Sequence, residues 1–579
     1  MKSLSLITRK RGRLAAGIAL GGVVFVSLTG AYALRSFFAR PGEGALQYVP
    51  ADSLLVASID LVPSPTQALA FKRIDDSLDR NTFDHLFEKS ILELIDHSKS
   101  AEALRPLILR SGAVCMTNNA ENPNSQDGIL FLAVKDGKEA LQILQKNAYP
   151  KFYKGLKYFK TGKGSMLVMV MDDFLVLSDK PQQFARVLAV KNGEAKAITS
   201  VPEFEEGRHA IAEDSNLVLY VSPKIVASVA KGSEDKMSLP EWATIGLSIR
   251  DGGLGMSMAT KMDPSKNAGF QAMSQIAPVR TDLFQVLPSG SYGMMVLSNP
   301  SEYFNAMKSG WKDGKELDKT IAQMEDSVQK GIGLSIQKDL IPALKGDAVA
   351  AVYPSQDGAP AGVDLLMIVD DSNGANPADA VDRFQSFVEA QVAKEGNSPK
   401  LFVEQKMVGG REFKVNDKVE TDMRKSIGNG MSPDSVRKDI LVGKKTVVFA
   451  MVGKAVIAST SQDLLDKAVA SYTSKTNGLN GDPKLGASEK TMLDGSQSFA
   501  VFSLSRIAEG IKNTMVTSKM SADDKKLFDG VISAFESLND PLYLKGKASP
   551  DGLSTGGVFI PLDYDKLIDI IGGAVNKKH

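Results

Sequence analysis

The sequence predicts an α+β protein, in which two tandem copies of a mostly antiparallel sheet-plus-helix unit follow one N-terminal transmembrane helix. Three observations predict this class. An uncharged run of twenty-one residues lies near the N-terminus. Short strand-like runs are joined by turn residues and separated by helical patterns. The same order of landmarks occurs twice along the chain.

Residues 14–34 form the uncharged run. As an α-helix they span about 31 Å, which matches the hydrocarbon core of a bilayer. Residues 1–13 are basic, so the positive-inside rule places them in the cytoplasm and the body outside it. The membrane is therefore a predicted partner, bound through a signal-anchor. A cleaved, secreted form is the alternative, because Ala31-Tyr32-Ala33 has the small-x-small pattern of a cleavage site.

The charge is unevenly distributed along the chain. Residues 1–40 carry seven cations and no acidic residue. Subtracting these seven cations from the net charge of +1 leaves residues 41–579 at −6. Nucleic-acid binding needs a concentrated basic footprint, so we predict no nucleic-acid partner.

The body divides into two predicted repeats with short segments around them. The predicted segments are the linker at 35–44, the first repeat at 45–265, the connection at 266–281, the second repeat at 282–565 with an insertion near 415–442, and the C-terminal tail at 566–579.

Matching landmarks define these repeats. Pro50 and Pro288 each introduce a predicted strand, and Ser-Gln-Asp-Gly occurs at 125–128 and again at 355–358. Asp-Gly between strand-like runs predicts a hairpin turn at both tetrapeptides. The other matched pairs are the helices Gly137–Asn147 and Pro377–Ala393, the strands Phe174–Ser178 and Ala455–Ser459, and the closing hairpins Ile245–Thr260 and Tyr543–Ile560.

The segment Val49–Leu61 (Val-Pro-Ala-Asp-Ser-Leu-Leu-Val-Ala-Ser-Ile-Asp-Leu) follows the predicted membrane helix. It resembles the start of the bacterial family known as domain of unknown function 3352. The resemblance implies an N-terminal anchor or signal followed by a long extracytoplasmic α+β body. The second copy departs from the motif, with Ser289-Gly290 where the first has Ala51-Asp52. The family supplies no catalytic residues, so the resemblance implies a location and a fold but no reaction.

The sequence predicts no catalytic, cofactor-binding or metal-binding residues. The four histidines lack the spacing of a zinc site; they are His85, His97, His209 and His579. Cys115 lies alone in an apolar strand-like run, which predicts a buried, inert thiol. Residues 370–374 resemble a calcium loop, but Val369 stands where the loop needs an acid. We therefore predict a solvated turn there.

Methionines alternate in two predicted strands. Met166, Met169 and Met171 share one strand face, as do Met256 and Met258 in another strand. Core packing explains such faces, and an adaptable apolar groove for lipid or peptide is the alternative.

Together these patterns predict a non-enzymatic, single-pass envelope protein with an extracytoplasmic body and a binding or scaffolding role, for a protein or lipid partner that the sequence does not identify. A carrier or chaperone of lipid or another apolar ligand is one alternative, and a hydrolase with a site assembled from distant residues is the other. A large apolar cavity favours the carrier. Converging Ser, Asp, Glu or His side chains in a cleft favour the hydrolase, and a filled core favours the scaffold.

Overall fold

The structure is a computed structural model. It describes residues 42–60, 67–77, 99–118, 126–161, 166–230, 239–250, 252–280, 286–310, 334–355, 363–394, 402–407, 410–415, 448–474, 495–514 and 541–562, with isolated residues between them. The predicted cytoplasmic segment 1–13, the predicted membrane helix 14–34, the tail 566–579 and all but the first residue of the predicted insertion lie outside this description. Within it, no helix combines the length and the apolar character needed to cross a bilayer.

The described residues contain both helices and strands. The α-helices are α1 Gly42–Leu46, α2 Ala68–Ser77, α3 Lys99–Leu104, α4 Gly137–Asn147, α5 Pro181–Lys191, α6 Pro202–Ala210, α7 Pro223–Ala230, α8 Ala268–Met273, α9 Pro300–Gly310, α10 Ile341–Ala343, α11 Pro377–Lys394, α12 Gln462–Ser474 and α13 Leu504–Thr514. The strands of the first half are β1 Leu55–Asp60, β2 Ile108–Asn118, β3 Gln126–Val134, β4 Tyr149–Tyr153, β5 Leu156–Lys160, β6 Leu167–Met171, β7 Phe174–Ser178, β8 Leu217–Val221, β9 Trp242–Arg250 and β10 Gly253–Lys261. Those of the second half are β11 Gly293–Leu297, β12 Ala348–Pro354, β13 Val363–Val369, β14 Phe402–Met407, β15 Gly410–Val415, β16 Val448–Val452, β17 Ala455–Ser459, β18 Ser498–Phe502, β19 Leu542–Ala548 and β20 Leu553–Pro561.

Local sequence explains where helices begin. Asp136 caps α4, because its carboxylate accepts hydrogen bonds from the backbone N–H groups of Lys138 and Glu139 at 2.8 and 3.0 Å. Pro181 occupies the first turn of α5, where its missing N–H is not needed. Pro202 does the same in α6.

The chain divides into two compact units. Within the described residues, the first comprises those from Gly42 to Ala230, Pro240–Thr260 and Leu562, and the second comprises Leu239 and those of Lys261–Pro561. In the first unit the strands pair in the order β4-β5-β6-β7-β3-β2-β1-β8-β9-β10. In the second unit the order is β14-β15-β16-β17-β13-β12-β11-β18-β19-β20. The pairings whose direction is known are antiparallel, so the body is α+β, as predicted.

Helices pack against the sheet in each unit. In the first unit, α3 and α4 bury Leu104 and Leu144 against strand residues such as Leu175 and Leu177. In the second unit, α12 packs on β16 and β17, and its Leu465 lies in the main core with residues of β11, β12 and β13. Each sheet therefore has a face that is packed against helices.

Turn chemistry is predicted correctly at some hairpins and wrongly at one. Gly252 and Gly552 have φ values of 79° and 98°, which confirms the turns of the two closing hairpins. Asp127 and Gly128, however, pair with Thr117 and Met116 inside the β2–β3 ladder. The predicted turn at 125–128 is therefore wrong for this dipeptide, which belongs to strand β3. The copy at 356–358 lies outside the described residues.

Candidate functional site

An apolar row crosses the outer face of the sheet in the second unit, on the side opposite the main core. Its residues come from seven strands, and neighbours in the row are in register. In order they are Ala458, Met367, Ala350, Met295, Ala500, Leu544 and Val558. We call this set the apolar row.

The flanking rows on the same face also lack charged side chains. One consists of Val369, Ala348, Leu297, Ser498, Gly546 and Gly556. The other consists of Leu365, Val352, Gly293, Phe502 and Leu542. Three consecutive rows of this face are thus free of charge.

Large side chains of this face are open to solvent. Met295 and Met367 are each 46% exposed, and Leu365 is 50% exposed. Residues of the opposite parity, such as Met294 and Leu366, are buried in the main core. An antiparallel sheet with one solvated face normally carries polar residues on that face. An exposed and contiguous apolar patch is instead typical of an interaction surface.

One end of the same face is already covered by a helix. Phe449, Met451 and Val456 belong to β16 and β17, and they pack against Ala378 of α11 in a separate buried cluster. The outer face therefore passes from a helix-covered part to an open part within one sheet.

The first unit has the same row at the same sheet positions, but it is less exposed. Leu130, Val114, Ala57, Leu219 and Ile245 are in register across β3, β2, β1, β8 and β9. Ala57 is buried and the others are half-buried. The open apolar face is thus a property of the second unit.

The methionine patterns have a mixed outcome. Met169 and Met171 are buried, so the groove interpretation is wrong for them and core packing is right. Met166 packs instead with Val168 against the core beneath α3 and α4, so the prediction that it shares their face is wrong. Met256 and Met258 are exposed on β10. Sequence analysis missed Met295, although it lies in a strand that is apolar at every position after its first glycine. Such a run signals a strand with two apolar faces.

Polar residues form buried clusters whose hydrogen bonds are structural. Asp371, Asn373 and Gly374 are exposed, which agrees with the predicted solvated turn at 370–374, but Asp370 is fully buried. Its Oδ1 accepts hydrogen bonds from the N–H of Asp347 at 2.9 Å and the hydroxyl of Ser372 at 2.6 Å. Its Oδ2 pairs with the guanidinium of Arg280. Burial, reinforced by the charge of Asp370, raises the pKa of Asp347.

An ion pair lies beside the motif in each copy, but the residues that form it differ. In the first copy Asp52 binds Arg186, with both carboxylate oxygens 2.6 Å from Nη2. In the second copy Gly290 stands at the aspartate's place and donates its N–H to Asp482 at 2.8 Å. Asp482 in turn holds Arg506 through two hydrogen bonds of 2.8 Å. Arg186 belongs to α5 and Arg506 to α13, so both the carboxylate and the arginine come from different segments in the two copies.

A small polar cleft lies in the first unit, with a volume of about 50 Å³. Asp60, Gln67 and Asn216 line it. The amide nitrogen of Gln67 donates to Asn216 at 3.0 Å, and the amide oxygen of Asn216 accepts from the N–H of Ile249 at 2.8 Å. These groups stabilise the fold locally. The volume has room for about three or four water molecules, far less than a ligand pocket.

The reactive residue types have ordinary surroundings. Cys115 is buried, which confirms the predicted burial, and this burial raises its pKa to about 12. His209 is exposed on α6 beside Glu205. The other three histidines lie outside the described residues. Among the residues that the structure describes, no three His, Cys, Asp or Glu side chains converge as metal ligands would.

Comparison with known proteins identifies one family to which the chain is similar. The family described as "Protein of unknown function (DUF3352)" matches residues 14–399, which confirms the resemblance seen at Val49–Leu61. No curated protein matches the chain. Crystal forms I and III of TP0453 are similar at 11% sequence identity and a TM-score of 0.22. They cover 38% of this chain, and the match spans 78% and 79% of TP0453. That score is too low to support a conclusion about fold or function.

Proposed function

Because the chain belongs to the DUF3352 family of proteins of unknown function, we propose a function from the chain itself. It is a non-enzymatic binding protein, tethered to the cell membrane by residues 14–34, with its body outside the cytoplasm. The apolar row and the rows beside it receive an amphipathic helix of a partner protein. The single observation that carries the proposal is the open, uncharged sheet face of the second unit.

The two alternative functions have less support among the described residues. A carrier of lipid needs an apolar cavity of about 300 Å³ or more, and the cleft in the first unit, which is polar and measures about 50 Å³, does not supply one. A hydrolase needs an activated nucleophile beside a base. The best cluster of acids and serines joins Asp347, Asp370 and Ser372, whose oxygen atoms are occupied by structural hydrogen bonds.

The size of the open face argues for a helix as its occupant. Ala458 of β17 packs against the cluster that α11 covers, so six of the seven strands contribute to the open part of the row. Strands lie about 4.8 Å apart, so these six make a row about 25–30 Å long. Two adjacent rows then form a patch of roughly 400 Å². A stable interface between two globular proteins covers about 800 Å² on each side. One helix of about twenty residues is about 30 Å long and fits the smaller patch.

The helix α11 supports the same choice. It already covers Phe449, Met451 and Val456 on this face, so a helix of the partner beside it would complete the layer. Exposed methionines suit such a contact, because their flexible side chains adapt to different apolar surfaces.

We also propose that the two units are copies of one ancestral unit, with the predicted bounds 45–265 and 282–565. The identical order of strand pairing in both units supports this. The matched turns at Asp172-Asp173 and Gly453-Lys454, which join equivalent strands, support it as well. In both, the first turn residue has a positive φ, 49° at Asp172 and 63° at Gly453.

The binding proposal is tested with the full chain in lipid nanodiscs. The probe is a fluorescent amphipathic peptide of leucine and lysine, about eighteen residues long. We expect the variants Met295→Lys and Met367→Lys to lower peptide affinity at least about tenfold, since each places a charge in the contact. The control Met258→Lys changes an equally exposed methionine of the first unit and should leave the affinity unchanged.

Equal losses in all three variants, or no binding to the wild-type chain beyond that to empty discs, would refute the helix-binding proposal. If the wild-type chain is a dimer in sedimentation analysis and Met295→Lys dissociates it, the occupant of the face is a second copy of the chain instead. The tether is tested separately. Alkaline carbonate should leave the protein in the membrane fraction, and a mature N-terminus at Leu34 would establish the cleaved form.

A further inference from the structure

The hairpin formed by β4 and β5 is basic and carries exposed aromatic side chains. We call residues 149–160 the basic hairpin. It contains no acidic residue and four lysines, which are Lys151, Lys154, Lys157 and Lys160. Tyr149 is 77% exposed and Phe152 is 67% exposed.

The basic hairpin is anchored at its base and open at its tip. Phe159 is buried in the core of the first unit, and β5 pairs with β6 only at Phe159 and Lys160. The tip is the two-residue turn Lys154-Gly155, with φ values of 49° and 83°. Positive φ at both positions is typical of a tight type I′ turn. The tip thus extends beyond the last pairing with β6 as a regular two-stranded hairpin.

The tip lies at the end of the first unit where the described chain begins. Strand β6 runs towards the turn at Asp172, and β5 is antiparallel to β6, so β5 starts at that same end. Tyr48 follows α1 directly and donates a hydrogen bond to Asp172 at 2.9 Å. Its ring also contacts Phe174 at a centroid distance of 5.7 Å. The segment that follows the proposed tether and the tip of the basic hairpin therefore share one end of the unit.

Protection of a sheet edge explains only part of this composition. β4 is the last strand in the pairing order of the first unit, and lysines and Pro150 on an edge strand discourage pairing with other chains. Edge protection gives no reason to expose Phe152 and Tyr149, because exposed aromatic residues favour association.

The equivalent hairpin of the second unit has the same pairing but a different composition. β14 and β15 pair along their whole length, and Phe413 pairs with Phe449 as Phe159 pairs with Val168. Residues 402–415 carry three cations and two acids, a net charge of +1, against +4 in the basic hairpin. Lys406 stands in the position of Phe152. The basic aromatic surface is therefore specific to the unit that follows the proposed tether.

We propose that the basic hairpin docks on the surface of a membrane that contains anionic lipids. The lysines bind lipid phosphate groups, and each contributes to attraction towards the charged surface. Phe152 enters the boundary between headgroups and acyl chains, and Tyr149 lies at headgroup level, where aromatic rings with a polar end are favoured. This inference rests on the proposed tether, which keeps the first unit next to the membrane.

A membrane explains the hairpin better than nucleic acid does. Residues 41–579 have a net charge of −6, which opposes approach to a long polyanion. Four lysines on one hairpin are few for nucleic-acid binding, whereas docking beside an existing tether needs only a weak attraction.

The test uses the full chain in nanodiscs of phosphatidylcholine with or without phosphatidylglycerol, both carrying brominated acyl chains as quenchers. Phe152→Trp reports contact with the acyl boundary, and the parent chain provides the background fluorescence. We expect quenching with phosphatidylglycerol and its loss without it. Adding Lys151→Ala, Lys154→Ala and Lys157→Ala should weaken docking about fivefold per lysine, or about a hundredfold together.

The matched control places the reporter in the other hairpin, as Lys406→Trp, where no quenching is expected in either disc. Quenching that does not depend on phosphatidylglycerol, or that is equal for Lys406→Trp, would overturn the proposal. The proposal would also be overturned if the chain shows no quenching in the discs but binds a DNA oligonucleotide, and if the three lysine substitutions abolish that DNA binding. Carbonate extraction tests the proposed tether independently. If the protein stays in the membrane fraction but shows no quenching, only the proposal for the basic hairpin is refuted. If the protein is released, the tether fails, and added phosphatidylglycerol vesicles still test the hairpin.

Discussion

The ion pair between Asp482 and Arg506 allows a quantitative comparison within one chain. The side chain of Asp482 is fully buried and that of Arg506 is 16% exposed. Asp482→Ala removes two hydrogen bonds from the guanidinium and two from the backbone N–H groups of Gly290 and Leu485. A buried cation is then left without its counter-ion, and this typically costs about 3–5 kcal/mol.

Asp52→Ala is the matched control, because Asp52 binds Arg186 with both carboxylate oxygens. Asp52 is 58% exposed, so water replaces it easily. A solvent-exposed pair of this kind contributes about 0–1 kcal/mol. We therefore expect Asp482→Ala to lower the free energy of unfolding by at least about 2 kcal/mol more than Asp52→Ala does.

Urea unfolding of the full chain, followed by circular dichroism, gives the two losses of stability. Hydrogen exchange assigns them to a unit. Asp482→Ala should accelerate exchange in Gly293–Leu297 and leave Leu55–Asp60 unchanged, whereas Asp52→Ala should affect only the latter. If the two variants differ by less than about 0.5 kcal/mol, burial does not determine the contribution of these pairs and the reasoning is wrong.

Three further predictions concern single residues. Cys115 should resist alkylation in the folded protein at about pH 8 and react after unfolding in urea, because burial raises its pKa to about 12; stoichiometric labelling of the native chain would contradict this. Gly346→Ala should cost about 1–3 kcal/mol, because the added Cβ would lie 2.0 Å from the carbonyl oxygen of Asp370. The control Gly128→Ala meets no atom within 4 Å and should be nearly neutral in the same urea assay. The raised pKa of Asp347 means that its protonated form stabilises the fold at low pH and that this contribution is lost as the pH rises through that pKa. Wild-type stability relative to Asp347→Asn should therefore fall as the pH rises above the ordinary pKa of an aspartate, about 3.9, and a constant difference would refute the shift.

Sequence patterns were most informative where a strand or helix is defined by its own residues. The apolar run Phe174–Ser178 and the helical pattern Gly137–Asn147 have the predicted bounds. The β4–β5 hairpin escaped prediction because Tyr149–Tyr153 contains a proline and alternates less clearly.

The open face and the buried carboxylates depend on partners that lie far along the chain. Met367 occurs in a continuous apolar run that reads equally well as a strand buried on both faces. The burial of Asp370 depends on Arg280, which is ninety positions away in sequence. A local pattern contains neither kind of information, because burial is decided by which segments meet in three dimensions.

The position of β11 in its sheet has a consequence for how the protein is made. One neighbour of β11 is β12, but the other is β18, so Met295 pairs with Ala500 more than two hundred positions later. β11 therefore keeps an unpaired edge until most of the second half has been synthesised. Pairing across such a sequence distance is slow, since a long loop must close before any contact forms. Both sides of β11 are apolar, so a nascent chain halted before β18 exposes the kind of edge that aggregates. Truncation between β17 and β18 should therefore give an insoluble product or one held by a chaperone.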